Sequence, residues 1–370
     1  MKLKNLQLVN YRNYDKLYIE FNDRINLLLG SNGQGKTNIA EAIYLLAFGK
    51  SFRTNRDREL IKFNTENLYV GGGYEKNDRK GMVEIAINKA KKGIKVNKIP
   101  IIKLAELLGN INVIIFSPED LRLVKDGPKI RRSFIDREIS QIVPGYYGLL
   151  TGYNKILANR NKLLKNINPD LNLLDVYDES LADYGSKIFM FRKKFIERIA
   201  EISKDMHSRL TDNKEDLNVI YKSQIQLDEE SSIKDKFLSI LKDKRKHDLD
   251  MRISGYGIHK DDILIQINGL DVRLYGSQGQ QRTASISLKL SEIELINREV
   301  GEYPLLILDD VFSELDEKRQ KLLVDNLKDV QMFITTAEYL HKNVLDMNNT
   351  TVFYIDNSYP VRFYVDTQQL

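Results

Sequence analysis

The 370-residue chain contains no cysteine. A disulfide framework and any metal site built on thiolates are therefore excluded. Histidine is scarce, four residues in all, and none sits at metal-ligand spacing, which argues against a zinc site. Charge of one sign is not in large excess. Lys and Arg number 57 against 52 Asp and Glu, a net +5, a balance that permits nucleic-acid binding without demanding it. No apolar run approaches the roughly 20 residues needed to cross a bilayer. The first residues, MKLKNLQLVNYRNY, alternate charged and apolar positions as a strand does, and lack the apolar core of a secretion signal. Repeats and low-complexity tracts are missing too. These absences point to a cytoplasmic protein with no membrane partner. With 42% hydrophobic and 29% charged residues, the composition suits a globular chain large enough for two or three domains.

One stretch carries most of the remaining information. LLLGSNGQGKTN, residues 27–38, is an apolar run that breaks into three glycines, a lysine and a threonine. It fits G-x-x-x-x-G-K-[ST], with Gly30, Ser31, Asn32, Gly33, Gln34, Gly35, Lys36, Thr37 and Asn38 in sequence. A strand, then this loop, then the helical NIAEAIYLLAFG is the context that makes the pattern meaningful. The loop wraps backbone N–H groups around phosphates, Lys36 reaches the β and γ phosphates, and the Thr37 hydroxyl holds Mg²⁺. The helix dipole adds to the attraction for an anion. The expected ligand is ATP with Mg²⁺. The alternative is a plain glycine turn between strand and helix.

Composition divides the chain into three parts. Residues 1–145 are β-rich around the phosphate loop. Residues 146–250 carry an apolar stripe at Leu181, Tyr184, Ile188, Phe191, Phe195, Ile199, Ile202, Met206 and Leu210, the spacing of one face of a long helix. This reads as an inserted helical arm. Residues 251–370 return to strands and then α/β. DDILIQINGLDVRLYG reads as a hairpin turning at Asn268-Gly269, and the two ends of the chain are expected to share one sheet.

PLLILDD is an apolar strand delivering Asp309 and Asp310 at its carboxyl end, where ligands gather in open α/β sheets. Asp309 suits Mg²⁺ and Asp310 suits orienting the attacking water; the bland alternative is an Asp pair capping a helix. In GSQGQQRTASISLKLSEIEL, Ser277, Gln278 and Gly279 open a helix with an apolar face of Ile286, Leu290, Ile293 and Leu295. That start is either an anion site or an ordinary serine cap.

The order of these parts resembles the ABC-type ATPase heads of the SMC class, an α/β fold with a mixed-sheet lobe, a phosphate-loop core and an inserted arm. Ser277-Gln278-Gly279-Gln280 stands where those heads carry their signature, and Ser313 to Asp316 resembles their D-loop. More specifically the chain resembles the RecF family of bacterial recombination-mediator ATPases. NYRNY (10–14), GSNGQGKTN (30–38), FSPEDLRLV (116–124), RRSFID (131–136), GIHKDD (257–262), GSQGQQRT (276–283) and LLILDDVFSELD (305–316) carry the likeness over nearly the whole length. Ile258 and Lys260 depart from the family's usual Pro and Arg, so His259 receives no role. Thr335 and Thr336 stand where many ABC enzymes have a histidine.

The resemblance implies a DNA-binding, weakly DNA-stimulated ATPase without nuclease activity. It implies that Lys36 and Asp310 act in hydrolysis, and that Ser277 acts on a second protomer's γ-phosphate. Arg12, Gly279 and Asp316 would line the nucleotide site. Two heads would dimerise around ATP on DNA, at single-strand gaps and duplex junctions, and help RecO and RecR load RecA. Basic candidates for DNA are Lys89 to Lys98, Arg131 and Arg132, Arg192 to Lys194, and Lys242 to Lys246. Rival readings are a transporter ATPase subunit and a structural clamp with no repair role.

Overall fold

The computed structural model describes residues 1–225, 232–312, 320, 324, 327–337, 345, 349–356 and 359–363, the last five by their backbone. The chain divides into two compact units, Met1–Asp120 with Glu292–Leu370, and Leu121–Ser291.

The first unit holds two six-stranded sheets. One is antiparallel, in the order Tyr14–Glu20, Lys2–Tyr11, Asn67–Lys76, Arg79–Asn88, Lys92–Val96, Ile99–Ile101. A register shift between Leu3 and Asn5 explains why Leu3 and Leu6, three apart, both face the core. A bulge restores the inward direction after an odd step. Two tight hairpin turns need left-handed backbone at both central residues, and Asn77-Asp78 and Asn97-Lys98 supply it with φ of 48°, 58°, 52° and 67°.

The other sheet runs 359–363, Thr350–Asp356, Ile25–Leu29, Met332–Thr336, Leu305–Asp309, Val113–Phe116. All neighbours are parallel except the outer pair of 359–363 with Thr350–Asp356. Both ends of the chain therefore contribute to one sheet. Its central strands are buried at every position, as parallel strands covered on both faces must be. The helix Lys36–Phe48 touches strands of both sheets. It is apolar nearly all round, with no strong amphipathic face, because it fills the space between them.

The second unit is helical with a small sheet. Pro128–Ile142, Tyr146–Leu163 and the 40-residue Leu171–Leu210 pack on one another. The long helix spans roughly 60 Å at 1.5 Å per residue. Asp170 caps it, accepting from the Asn172 and Leu173 amides. The expected stripe is its buried face at Leu181, Ile188, Phe195, Ile199 and Ile202. Ile233–Asp243 crosses the long helix closely enough that a Cβ at Gly185 would lie 2.1 Å from the Phe237 ring. The small sheet joins Leu217–Lys222, Asp262–Ile267 and Leu270–Asp271, with the expected turn at Asn268-Gly269.

Buried ion pairs bind this unit together. Arg160 is fully buried and meets Asp178 at 2.6 Å and Asp248 at 2.7 Å. Arg192 forms a two-pronged pair with Asp136, at 2.9 Å on both prongs. Arg131 does the same with Asp262 at 2.6 and 2.9 Å. Arg131 and Arg192 must therefore be removed from the candidates for DNA contact. Both are buried, and their guanidiniums are engaged by internal carboxylates. His259 has a structural place as well. Its Nε2 donates to the Ser254 carbonyl at 3.1 Å, and its Nδ1 lies 2.9 Å from the Tyr153 hydroxyl.

Candidate nucleotide site

The phosphate loop leaves the buried strand Ile25–Leu29 at Gly30, whose φ is 153°. A Cβ there would lie 2.3 Å from the Ile355 carbonyl oxygen, so only glycine lets the loop depart so close to the neighbouring strand. Gly33 and Gly35 also adopt positive φ, 84° and 113°, and Gly35 sits just before the helix. Ser31, Asn32 and Gly33 are exposed, Gln34, Thr37 and Asn38 half-buried.

Lys36 is buried, and its ammonium donates to the Gly30 carbonyl and, at 2.8 Å, to that of Ser31. Burial lowers its pKa, against the attraction of Asp310 and Asp309. The lysine is folded back on the loop's own carbonyls, and a phosphate would be a stronger partner for it than these neutral oxygens.

The acidic strand meets the loop at one point. Thr37 Oγ1 donates to Asp309 Oδ1 at 2.9 Å, and Thr335 Oγ1 donates to the same oxygen at 2.8 Å. Asp309 is 7% exposed. Burial raises its pKa, opposed by the hydroxyls of Thr335 and Thr37 and by the charge of Arg53. A buried carboxylate met by hydroxyls rather than by a salt bridge, beside the loop threonine, is a donor set that suits a hard divalent cation. Asp310 lies on the exposed side, in a left-handed conformation with φ of 55°, and its amide donates to Thr335 Oγ1 at 3.0 Å. Thr335 thus ties both acids to the adjacent strand.

A second layer supports the loop from the first hairpin. Asn13 Nδ2 donates to the Gln34 carbonyl at 3.1 Å, and the Tyr14 hydroxyl to the Gly35 carbonyl at 3.1 Å. Asn38 donates to Asn13 Oδ1 at 2.7 Å. Arg12 places its guanidinium on the fully buried Glu41, at 2.9 and 2.7 Å, and also donates to the Glu59 carbonyl at 2.8 Å. Glu41 also accepts from Tyr11 and Ser51. These hydrogen bonds and the Arg12 charge hold its carboxyl below the ordinary range despite burial. Arg53 reaches the same region, donating to Asn38 Oδ1 at 2.9 Å.

Asn13, Tyr14, Glu41 and Arg53 were not singled out from the sequence. Asn13 and Tyr14 carried a signal, since they lie in NYRNY. Glu41 and Arg53 carried none, because their partnership exists only after folding.

In the second unit Ser277 opens the helix Gln278–Val300 with a reciprocal capping box. Its amide donates to Gln280 Oε1 at 2.9 Å, and the Gln280 amide donates to Ser277 Oγ at 3.2 Å. Ser277, Gln278 and Gly279 are exposed. Asp316 and the rest of the D-loop lie outside the described residues.

The family described as RecF/RecN/SMC N terminal domain matches residues 2–357. The DNA replication and repair protein RecF of Clostridioides difficile (strain 630) is 62% identical over 360 residues, 96% of this chain and 97% of that one. The chain belongs to the RecF family. A RecF of Alkaliphilus oremlandii is 48% identical over 96% of this chain and 99% of its own. A solved structure described as the recombination mediator protein RecF-ATP in the RecFOR pathway superposes with a TM-score of 0.90. It shares 38% identity and covers 98% of this chain and 97% of that one. An Smc head domain from Pyrococcus yayanosii, 13% identical, has a TM-score of 0.58 over 100% of this chain and 98% of that one, a likeness of fold alone. The fold is thus the α/β ABC-type ATPase head shared by RecF and SMC proteins, on a member of a DNA replication and repair family. Among the described residues, no helix is long and apolar enough to cross a membrane.

Proposed function

We propose that this RecF-family chain is a cytoplasmic ATP-driven DNA switch of recombinational repair. Two copies join head to head on DNA, at single-strand gaps and junctions, and slow hydrolysis of ATP to ADP and phosphate releases them. RecO and RecR are the partners through which RecA is loaded, and no nuclease step is involved. The observation that carries the reading is the 2.9 Å hydrogen bond from Thr37 to Asp309. It joins a phosphate loop to an acidic strand 272 residues away.

Lys36 and the loop from Gly30 to Asn38 bind the triphosphate. Thr37 and Asp309 would hold Mg²⁺, which supplies positive charge to the phosphate oxygens when bound. Asp310 orients the water. Arg12 stiffens the loop helix through Glu41, and Asp316 belongs to the same nucleotide site. The exposed Ser277 and Gly279 complete the site of the second copy, so ATP is the bond between heads. DNA would be held through its phosphates, with Lys89 and Lys91 exposed for that role. The family membership and the ATP complex of a 38%-identical relative support this over a transporter subunit or a passive clamp.

Light scattering with and without ATP tests it. Ser277→Arg puts a bulky charge where the partner's γ-phosphate belongs, so the variant should bind ATP as a monomer and fail to dimerise. Mixing it with Lys36→Ala protein leaves one intact composite site, and dimers should partly return. Wild-type dimerisation by Ser277→Arg alone would leave Ser277 as a helix cap and end the head-to-head model.

A further inference from the structure

The capping box at Ser277 is held from outside its own helix. Gln280 Nε2 donates to Glu215 Oε1 at 2.9 Å. The other oxygen of Glu215, Oε2, lies 3.2 Å from His207 Nε2. His207 is fully buried in the last turn of the 40-residue helix. Its Nδ1 lies 2.9 Å from Ser287 Oγ, on the same helix as Gln280 and two turns further along. The end of the long helix therefore grips the signature helix twice, directly at Ser287 and through Glu215 at Gln280.

The chemistry of Glu215 makes the arrangement directional. A carboxylate only accepts, so it must face the NH₂ side of the Gln280 amide and the N–H of His207. That leaves Gln280 Oε1, and no other atom of its side chain, to accept from the Ser277 amide. Without the carboxylate only the Ser277 N–H favours this orientation of the Gln280 amide, and the Nε2 end loses its tether. A flipped amide would face Ser277 N–H with its own donors and open the turn.

We propose that Glu215, anchored by His207, is a positioning residue for the signature turn: it fixes the Gln280 amide and through it the direction in which Ser277 is presented to the second copy's ATP. The proposal rests on the head-to-head reading above. Glu215 belongs to neither the phosphate loop nor the acidic strand, and its side chain meets Gln280 and His207. Its neighbour Asp216 pairs instead with Lys204 at 2.9 Å on the exposed surface, and provides the control.

The test uses the full chain with Glu215→Ala, Glu215→Gln, Gln280→Glu, the double variant Glu215→Gln/Gln280→Glu, and Asp216→Asn. Hydrogen exchange over residues 276–281 without nucleotide reads the turn directly. Scattering with ATP reads dimerisation, and steady-state ATPase separates KM from kcat. Glu215→Ala should speed exchange in the turn about tenfold, by the loss of one charge-assisted hydrogen bond. It should weaken ATP-driven dimerisation and kcat by about the same factor, with KM for ATP within twofold.

Glu215→Gln, nearly isosteric, can serve only one of its two donors and should fall between. In the double variant the carboxamide at 215 accepts from His207 and donates to the carboxylate at 280. That carboxylate in turn accepts from the Ser277 amide. All three hydrogen bonds are restored, so exchange should return to the wild-type rate, as it should for Asp216→Asn. Unchanged exchange in Glu215→Ala overturns the proposal, and so does a double variant as loose as Glu215→Ala. A Ser277→Arg protein that cannot dimerise beside a Glu215→Ala protein that dimerises normally also overturns it, while sparing the head-to-head reading. A Ser277→Arg protein that dimerises with ATP overturns that reading and the link from Glu215 to dimerisation with it.

Discussion

Buried charge serves different ends in the helical core and at the nucleotide site. In the helical unit, Arg131, Arg160 and Arg192 are each at most 3% exposed, and each meets one or more carboxylates at hydrogen-bond distance. In the nucleotide unit, buried Lys36 rests on carbonyl oxygens and buried Asp309 on hydroxyls. Each arginine is neutralised by carboxylates of its own unit, and together these pairs make a scaffold. The hydrogen bonds described for Lys36 and Asp309 go to neutral groups, with charges acting on them only from further off, which leaves much of their electrostatic capacity for a ligand. The same cost, a charge removed from water, supports architecture in the helical core and recognition at the nucleotide site.

If that contrast is right, substitutions in the two units should separate binding from stability. Lys36→Ala should lower ATP affinity by ~1000-fold, about 4 kcal/mol, by removing the charge that meets the phosphates. It should leave the denaturant midpoint nearly unmoved, since no ion pair is broken. ATP titration and urea unfolding of the same preparation check both halves. Arg160→Met should do the reverse. It leaves buried Asp248 without its arginine and buried Asp178 with Arg245 alone, and breaking a buried pair costs about 3–5 kcal/mol. Unfolding curves should show that loss, while the protein that remains folded binds ATP as before.

Within the nucleotide unit the two acids should also differ. Asp310→Asn should slow hydrolysis by ~100-fold, the lower range for loss of a general base, with ATP binding nearly intact. Asp309→Asn should weaken Mg²⁺-dependent binding as well. Equal wild-type turnover in both would remove the acidic strand from the mechanism.

The smallest effect concerns pH. Burial pushes His259 down to about 4, with the Ser254 carbonyl opposing. In the unfolded chain histidine titrates near 6.5. Between those values the unfolded state binds a proton that the folded state does not. The stability from this group is therefore full above about pH 6.5 and is lost as pH falls toward 4, by on the order of 2 kcal/mol. His259→Gln should flatten that part of the stability profile, measured as the wild-type-minus-variant difference between pH 7 and 4.5.

What the sequence revealed was local. The phosphate loop, the Asn268-Gly269 turn and the stripe of Leu171–Leu210 are each written within a few turns or strands of chain. What it concealed was pairing at a distance. Arg192 looked like part of a solvated basic run, because its partner Asp136 lies 56 residues earlier. Arg12 gave no hint of Glu41. The helix Gln278–Val300 read as one apolar face at Ile286, Leu290, Ile293 and Leu295, yet Ser287 and Ser291 are fully buried too. Their hydroxyls donate to the carbonyls of Thr283 and Ser287, at 2.8 and 2.5 Å, four residues back. Ser291 is met by its own helix, and Ser287 by its helix and by His207; serines satisfied in this way can enter a core, and a hydropathy pattern has no way to register that. The composition break near 145 falls after the helix Pro128–Ile142. The compact units divide instead at 120/121 and 291/292, since that division follows contacts, and the strand Asp262–Ile267 packs with the helices.

The phosphate loop has a thermodynamic corollary. The carbonyls of Gly30 and Ser31 are bound by Lys36, that of Gln34 by Asn13, and that of Gly35 by Tyr14. Four carbonyls in a six-residue turn are thus fixed before any anion arrives, and fixing a residue's backbone costs roughly 1–2 kcal/mol when it must be done on binding. Folding has already met that cost. Triphosphate should then associate with little ordering penalty, and calorimetry should find a less unfavourable entropy than in a protein whose loop is untethered. Asn13→Ala and Tyr14→Phe, which release two of the four tethers, should bind ATP with unchanged contacts and a larger entropic cost.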